Sequence, residues 1–400
     1  MNTAPRSFRI QAEPAYAEIV RDLLLAEGFS CTSEAFSPHC FSLTSEPFPL
    51  GSSLAALFGY IYIQDRSSML PPLALAASTD PQALILDMCA SPGSKTSFLA
   101  QLLPDCAIVA NEPNPNRLAT LRANLEHLGI LSCVTLKSPG QDIPFPDNTF
   151  DAIQLDPPCS GWGTVAKNPK VTTIWKDTNS KSLIRLQRAL LAKAARLVRP
   201  GGTILYSTCT THDKENEEQV RFAETELPLR RVPLPPYPGF LYDEKEGGSG
   251  CLRVRQDERA QGFFLARLVK EGEAPKKNAT EGLSPYPGFP KGAIEQEIGT
   301  AFFFPARTHP LRDYARIHGV PVGVFHAGTL NPKPSLRPFF GADGRKTLSL
   351  ELKEIRDLIA GKTVTTDQDI KRATIAWRDL PLALVTVKNG RILCPKGSGR

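Results

Sequence analysis

Residues 84–103 read LILDMCASPGSKTSFLAQLL. The apolar run Leu84–Met88 has the length of a buried strand, and the small residues Cys89–Ser94 turn the chain. A helix is expected from about Lys95. Strand, small-residue turn and helix in this order set the helix's N-terminal amides beside any polar group that approaches the turn. This is not a phosphate-binding P-loop, because Ser94 separates Gly93 from Lys95 and the earlier glycine is missing. The stretch also lacks GxGxxG, which disfavours a nicotinamide dinucleotide.

The same alternation continues downstream. AIVAN (107–111) predicts a second strand, ending at Glu112, and residues 113–129 a helix with Leu118, Leu121, Leu125 and Leu128 inward. CVTL (133–136), DAIQLD (151–156) and TILYS (203–207) predict three more strands. Between the last two lies a helix at 182–198, stopped by Pro-Gly-Gly, and FFLARLV (263–269) reads as a late, antiparallel strand. This order indicates an α/β fold with a doubly wound, mostly parallel sheet. Upstream, Tyr16, Ile19, Val20, Leu23 and Leu24 mark one face of a helix over 13–28. Residues 29–58 show weak periodicity, and the helix opened by Pro71 and Pro72 has Ser67 or Ser68 as its expected cap. Downstream, residues 270–300 are rich in Lys, Glu, Pro and Gly, and the remainder reads as a β-rich module with one helix at 349–360. The expected divisions are 1–75, 76–270, a linker at 271–295, and 296–400.

A chain of 400 residues with 41% hydrophobic and 22% charged residues belongs to the soluble globular class and can fill more than one core. No apolar run reaches the length of a membrane span, and MNTAPRSFRI lacks the apolar stretch of a secretory signal. The nine cysteines at irregular spacing fit a reducing, cytoplasmic setting better than a disulfide framework. With no CxxC, HExxH or HxxxH pattern, no metal site is expected. Of 47 bases and 41 acids, 17 and 8 fall in residues 301–400, leaving 30 and 33 elsewhere. A basic module on a near-neutral body suggests a polyanionic partner.

The chemistry concentrates at strand ends. Glu112 stands where a doubly wound fold holds ribose hydroxyls, which points to a nucleoside cofactor without a pyrophosphate, S-adenosylmethionine above all. Asp156 closes the strand 151–156, and two prolines then hold out Cys159; a second thiol, Cys209, follows TILYST. Asp-Pro-Pro with an aromatic residue next would suggest methylation of an exocyclic amine, but here a thiol takes that place. A thiol suits attack on an unactivated ring: addition to C6 of a pyrimidine makes C5 nucleophilic towards a sulfonium methyl. The thiolate is the reactive form, so one of the two cysteines needs a lowered pKa. Asp156 is placed to act near N3, and Lys95 to hold the base or tune Asp156. Cys31, Cys40, Cys106, Cys133, Cys251 and Cys394 read as small buried hydrophobes.

From about Tyr60 to Lys270 the chain resembles the RNA (cytosine-5)-methyltransferases of the Nop/Sun family. The resemblance rests on YIQDRSSMLPPLAL (62–75), LDMCASPGSKT (86–96), ANEPNPNRL (110–118), LDPPCSGWGTVAKNP (155–169) and YSTCT (206–210) followed by ENE (215–217). ANE and VKNGRILCPKG (387–397) are similar to the small-subunit ribosomal methyltransferase F branch, whose C-terminal domain is PUA-like. The resemblance implies a Rossmann-like methyltransferase core with an accessory N-terminal domain and ribosomal RNA, rather than transfer RNA, as partner. It implies Cys209 as nucleophile, Cys159 as the group that helps release product, and Lys95 and Asp156 as the supporting pair. The cofactor is expected along Cys89, Ala90, Ser91, Pro92, Gly93, Ser94 and Lys95, at Glu112 and Arg117, and at Asp156. Asp142 is a further candidate acid after the third strand. Ser91 and Ser94 stand where alanine and glycine are frequent in the family.

Two other readings compete. DNA cytosine methylation would use the Pro-Cys thiol as nucleophile with a Glu-Asn-Val motif, which this chain lacks. A catalytically silent RNA-binding assembly factor is disfavoured because both thiols, Lys95 and Asp156 are present. Removal of 296–400 is expected to weaken RNA binding and spare the cofactor.

Overall fold

The computed structural model describes residues 6–165, 171–174, 180–244, 249–273, 289–326, 328–337, 340 and 346–393. The end of the fourth motif (166–169), most of the expected linker, and Cys394 with the tail after it lie outside the described residues.

The chain opens with a four-stranded sheet ordered β2-β3-β1-β4, made of β1 (Ser7–Ile10), β2 (Ser30–Glu34), β3 (Ser37–Ser45) and β4 (Ile61–Ile63). Helix α1 (Ala17–Ala26) buries Val20, Leu23 and Leu24, the inward face of the expected helix, and Gly28 follows it at φ +90°. A short α2 (Leu54–Leu57) is capped by Ser53, whose side chain accepts from the amide of Ala56. The segment 29–58 thus carries two strands, which its weak periodicity did not show. Helix α3 (Leu70–Ala76) opens on its prolines as expected, but neither Ser67 nor Ser68 caps it. Ser67 instead bonds Asp65, through both its amide and its hydroxyl.

The central sheet has eight strands. Five are parallel: β5 (Leu84–Asp87), β6 (Ala107–Asn111), β7 (Cys133–Leu136), β8 (Phe150–Leu155) and β9 (Val198–Thr208). With β10 (Leu229–Val232), β11 (Leu252–Val254) and β12 (Phe263–Lys270) the order is β10-β12-β9-β8-β5-β6-β7, with β11 also on β12. β12 runs antiparallel to β9, the expected direction. Helices α4 (Ser94–Leu102) and α5 (Pro115–His127) cover one face. A short α6 (Val171–Ile174) precedes α7 (Lys181–Leu197), which covers the other face with α8 (Glu217–Glu226). Alternate strand residues feed the two faces. Ile85, Ile108 and Leu205 pack with Phe98, Leu99 and Leu121, whereas Leu86, Val109, Ile153 and Ile204 pack with Leu190, Leu191 and Val220. Burial on both sides is why these strands read as continuous apolar runs.

The described residues from 292 onward supply two more four-stranded sheets. One holds β13 (Gly292–Glu297), β14 (Thr300–Pro305), β15 (Val320–His326) and β16 (Thr329–Pro332); the other holds β17 (Thr347–Ser349), β18 (Arg372–Trp377), β19 (Leu380–Lys388) and β20 (Arg391–Leu393). β13 begins inside the stretch expected as linker. The one expected helix is α9 (Leu352–Ile359), with a reciprocal capping box between Glu351 and Glu354. These sheets are built into the rest. Val20, Leu23 and Leu24 share one core with Ile355, Trp377 and Leu380, Arg356 pairs with Glu27, and Tyr60 donates to the carbonyl of Pro381. Arg307 pairs with Asp151 of β8, and Thr135 of β7 bridges to His318. The C-terminal residues therefore complete the N-terminal core.

Candidate active site

The turn after β5 is held from below and from the side. The buried Asp87 accepts from Thr96 Oγ1 at 2.7 Å and from Gln154 Nε2 at 2.8 Å, and burial pushes its carboxyl up to about 6. Gly93 sits at φ +101°, and a Cβ there would lie 2.9 Å from Leu121 Cδ1, so the position suits glycine on two counts. Asn111 ties three loops at the sheet's carboxyl edge: its Nδ2 donates to the carbonyls of Met88 and Ser138, and its Oδ1 accepts from the amide of Ser138. Glu112 is buried at the end of β6, with Oε1 accepting from the amide of Asn114 and Oε2 3.3 Å from Arg117. Arg117 also donates to the carbonyl of Ser91, while Ser91 Oγ donates back to the carbonyl of Arg117. Arg117 is thus a strut between the turn and Glu112. Burial raises the Cys89 thiol far above its usual range, so Cys89 stays a neutral wall of the turn. Asp142 lies exposed on the 3-10 turn Gly140–Asp142 after β7.

The two thiols meet. β8 and β9 are parallel neighbours, so the loops leaving them emerge side by side, and Cys159 Sγ lies 3.3 Å from Cys209 Sγ. Both cysteines are free. The hydrogen bond from Cys159 lowers the pKa of Cys209 against the opposing effect of burial, and Lys95 helps; the same bond, with burial, holds Cys159 protonated. Asp156 connects this pair to the turn. Its Oδ2 accepts from Lys95 Nζ at 2.6 Å and its Oδ1 from Ser207 Oγ at 3.0 Å. Burial works against the charge on Lys95, but Asp156 outweighs it and holds the ammonium above its usual pKa. An acid with a fixed cation, beside a low-pKa sulfur, is equipped for nucleophilic addition to an electron-poor ring.

Residues 73–269 match the model of the 16S rRNA methyltransferase RsmB/F family. The methyltransferase homolog protein from Pyrococcus horikoshii is 32% identical; the match spans 67% of this chain and 87% of that one, with a TM-score of 0.58. The chain belongs to the RsmB/F methyltransferase family. Ribosomal RNA small subunit methyltransferase F from Salmonella heidelberg is 38% identical over 258 residues, 62% of this chain and 51% of that protein. The chain therefore spans about half the length of the curated relatives it matches. NSun6 from Pyrococcus horikoshii, solved with SFG, shares the fold at 21% identity and a TM-score of 0.59, over 68% of this chain and 92% of that one.

Within this RsmB/F core, Lys95, Asp156, Cys159 and Cys209 converge, with the turn 89–95 and Glu112 along the same sheet edge. Asp142 is exposed to solvent rather than buried like Glu112. Sequence reasoning passed over Ser207, Asn111 and Thr96. Ser207 had a signal, since it precedes the Thr-Cys pair by one residue on a strand whose alternate side chains share a face. The partners of Asn111 come from two other loops and leave no local pattern.

Proposed function

We propose that this protein is an S-adenosylmethionine-dependent methyltransferase that forms 5-methylcytosine in RNA, with ribosomal RNA as its substrate. The observation that carries the reading is the contact of two free thiols beside the Lys95–Asp156 pair. When bound, S-adenosylmethionine supplies an electrophilic methyl group on a sulfonium. The glycine turn at Gly93, the buried carboxylate of Glu112 and the edge at Asp156 suit a nucleoside with a charged tail, because they offer close backbone approach, a hydroxyl acceptor and an anion.

The Cys209 thiolate would add to C6 of cytosine and push the electrons of the C5–C6 double bond onto C5, the carbon to which S-adenosylmethionine would supply its methyl, leaving as S-adenosylhomocysteine. Asp156 is fixed by Lys95 and Ser207, and in this reading it would act at the N3 side of the ring, where the addition builds charge. Loss of the C5 proton to a solvent base restores the double bond and expels the Cys209 sulfur. Cys159 donates its S–H to that departing thiolate across the 3.3 Å contact. A cytosine inside a helix must be flipped out or unpaired to reach Cys209. The names of the curated relatives support ribosomal RNA over transfer RNA.

The test is methylation of deproteinised small-subunit ribosomal RNA by the purified chain, read by bisulfite sequencing. A cytosine that becomes bisulfite-resistant only with cofactor is the expected result. Methyl incorporation with no resistant cytosine would refute the C5 assignment.

A further inference from the structure

Glu215 opens the ENE segment, to which the chemistry above gives no task. It is fully buried, yet each carboxylate oxygen is engaged. Oε2 accepts from the amide of Ser160 at 3.0 Å and from Gln187 Nε2 at 2.9 Å, and Oε1 lies 3.2 Å from His212 Nδ1. Gln187 Nε2 also donates to the carbonyl of Pro158 at 2.9 Å. Ser160 immediately follows Cys159, and its Oγ lies 2.7 Å from Thr210 Oγ1, the residue after Cys209. The backbone of Glu215 is anchored as well, since its carbonyl accepts from Tyr206 OH at 2.7 Å.

A buried carboxylate is an expensive way to fill a core, so its placement calls for a reason beyond packing. The start of α8, two residues on, offsets part of the charge through its dipole. The donors it gathers all belong to the two loops that carry the thiols or to the helix behind them. The geometry points to Glu215 as a positioning residue: through the Ser160 amide and Gln187 it holds the Pro158–Ser160 turn so that Cys159 lies against Cys209 and primes its sulfur. Glu215 touches neither sulfur. It acts through the placement of Cys159, and the effect on Cys209 is a change in how readily its thiol ionises.

The priming takes its purpose from the methyl-transfer reading, but the test needs neither RNA nor cofactor. Iodoacetamide alkylation of Cys209 in the full chain, followed by peptide mass spectrometry from about pH 5 to pH 10, gives the apparent pKa of its sulfur. Glu215→Gln keeps the shape but turns an N–H donor towards the donors it must accept from. It is expected to raise that pKa by about one unit, a roughly tenfold slower alkylation near neutral pH. Cys159→Ala is expected to give the same rise, and the double variant no more than either. Gln187→Met, which leaves the carboxylate in place, should shift the profile in the same direction. An unchanged profile in a folded Glu215→Gln protein, or a full additional shift on top of Cys159→Ala, overturns the proposal. If Glu215→Gln does not fold, an unchanged profile in Gln187→Met overturns it instead. Absence of RNA methylation alongside the expected alkylation pattern would count against the proposed reaction and leave the positioning role standing.

Discussion

At the scale of single residues, the site depends on groups held away from their solution behaviour. Cys209 and Cys159 share one sulfur–sulfur contact, which lowers the pKa of Cys209 and, with burial, raises that of Cys159. Asp87 is the clearest case outside the thiols, its carboxyl raised to about 6 from 3.8 by burial. The fold therefore favours the protonated acid, so its contribution to stability is full below about pH 4 and is lost as pH rises through about 6. Asp87→Asn cannot ionise, and asparagine's oxygen can still accept from Thr96 and Gln154. Urea unfolding at both ends of that range should show the variant gaining on the parent towards pH 8, by on the order of 1–3 kcal/mol. A difference that stays constant with pH would contradict the assignment. Residues of this kind were legible in the sequence where chemistry restricts the choice, as with two thiols, one lysine and one aspartate at strand ends. The role of Glu215 was not, because it comes from pairings between loops and the helix behind them.

Among the elements, the turn after β5 has the least room for change. Gly93→Val would force a β-branched side chain into a left-handed conformation and against Leu121. A loss of about 2 kcal/mol or more is expected from the backbone alone, together with at least tenfold weaker S-adenosylhomocysteine binding by calorimetry. Unchanged affinity would remove the turn from the cofactor site. The parallel strands and their helices were legible because burial on both faces leaves long apolar runs and the helices keep clear periodicity. β2 was not, since SCTSE is mostly exposed and offers no alternation. β10 and β11 are short antiparallel additions of four and three residues, below what pattern alone distinguishes. β9 begins earlier than TILYS because Pro200–Gly202, expected only to stop α7, also continues the strand through an irregular register with β8.

For the molecule as a whole, the C-terminal residues are partly structural. Arg307, Arg312, Lys333, Arg356 and Arg378 each pair with an acid of the chain, three of them with acids that precede residue 130. Lys388 and Arg391 remain exposed and directly opposite each other across β19 and β20, an arrangement of like charges that a phosphate would relieve. Removing 296–400 would expose Val20, Leu23 and Leu24 to water, so the truncated chain should lose cooperative unfolding and cofactor affinity along with RNA affinity. A truncated chain that binds cofactor normally would show the units to be independent. Sequence showed the basic charge of this region but not its docking, because contacts such as Tyr60 with Pro381 and Glu27 with Arg356 join residues more than 300 positions apart. The division of labour between the two thiols is the centre of the account, and it is tested by trapping the full chain on its RNA. After incubation with RNA and cofactor, Cys159→Ala should accumulate a denaturant-resistant protein–RNA adduct, and Cys209→Ala should form none. An adduct that persists in Cys209→Ala and disappears in Cys159→Ala would contradict it.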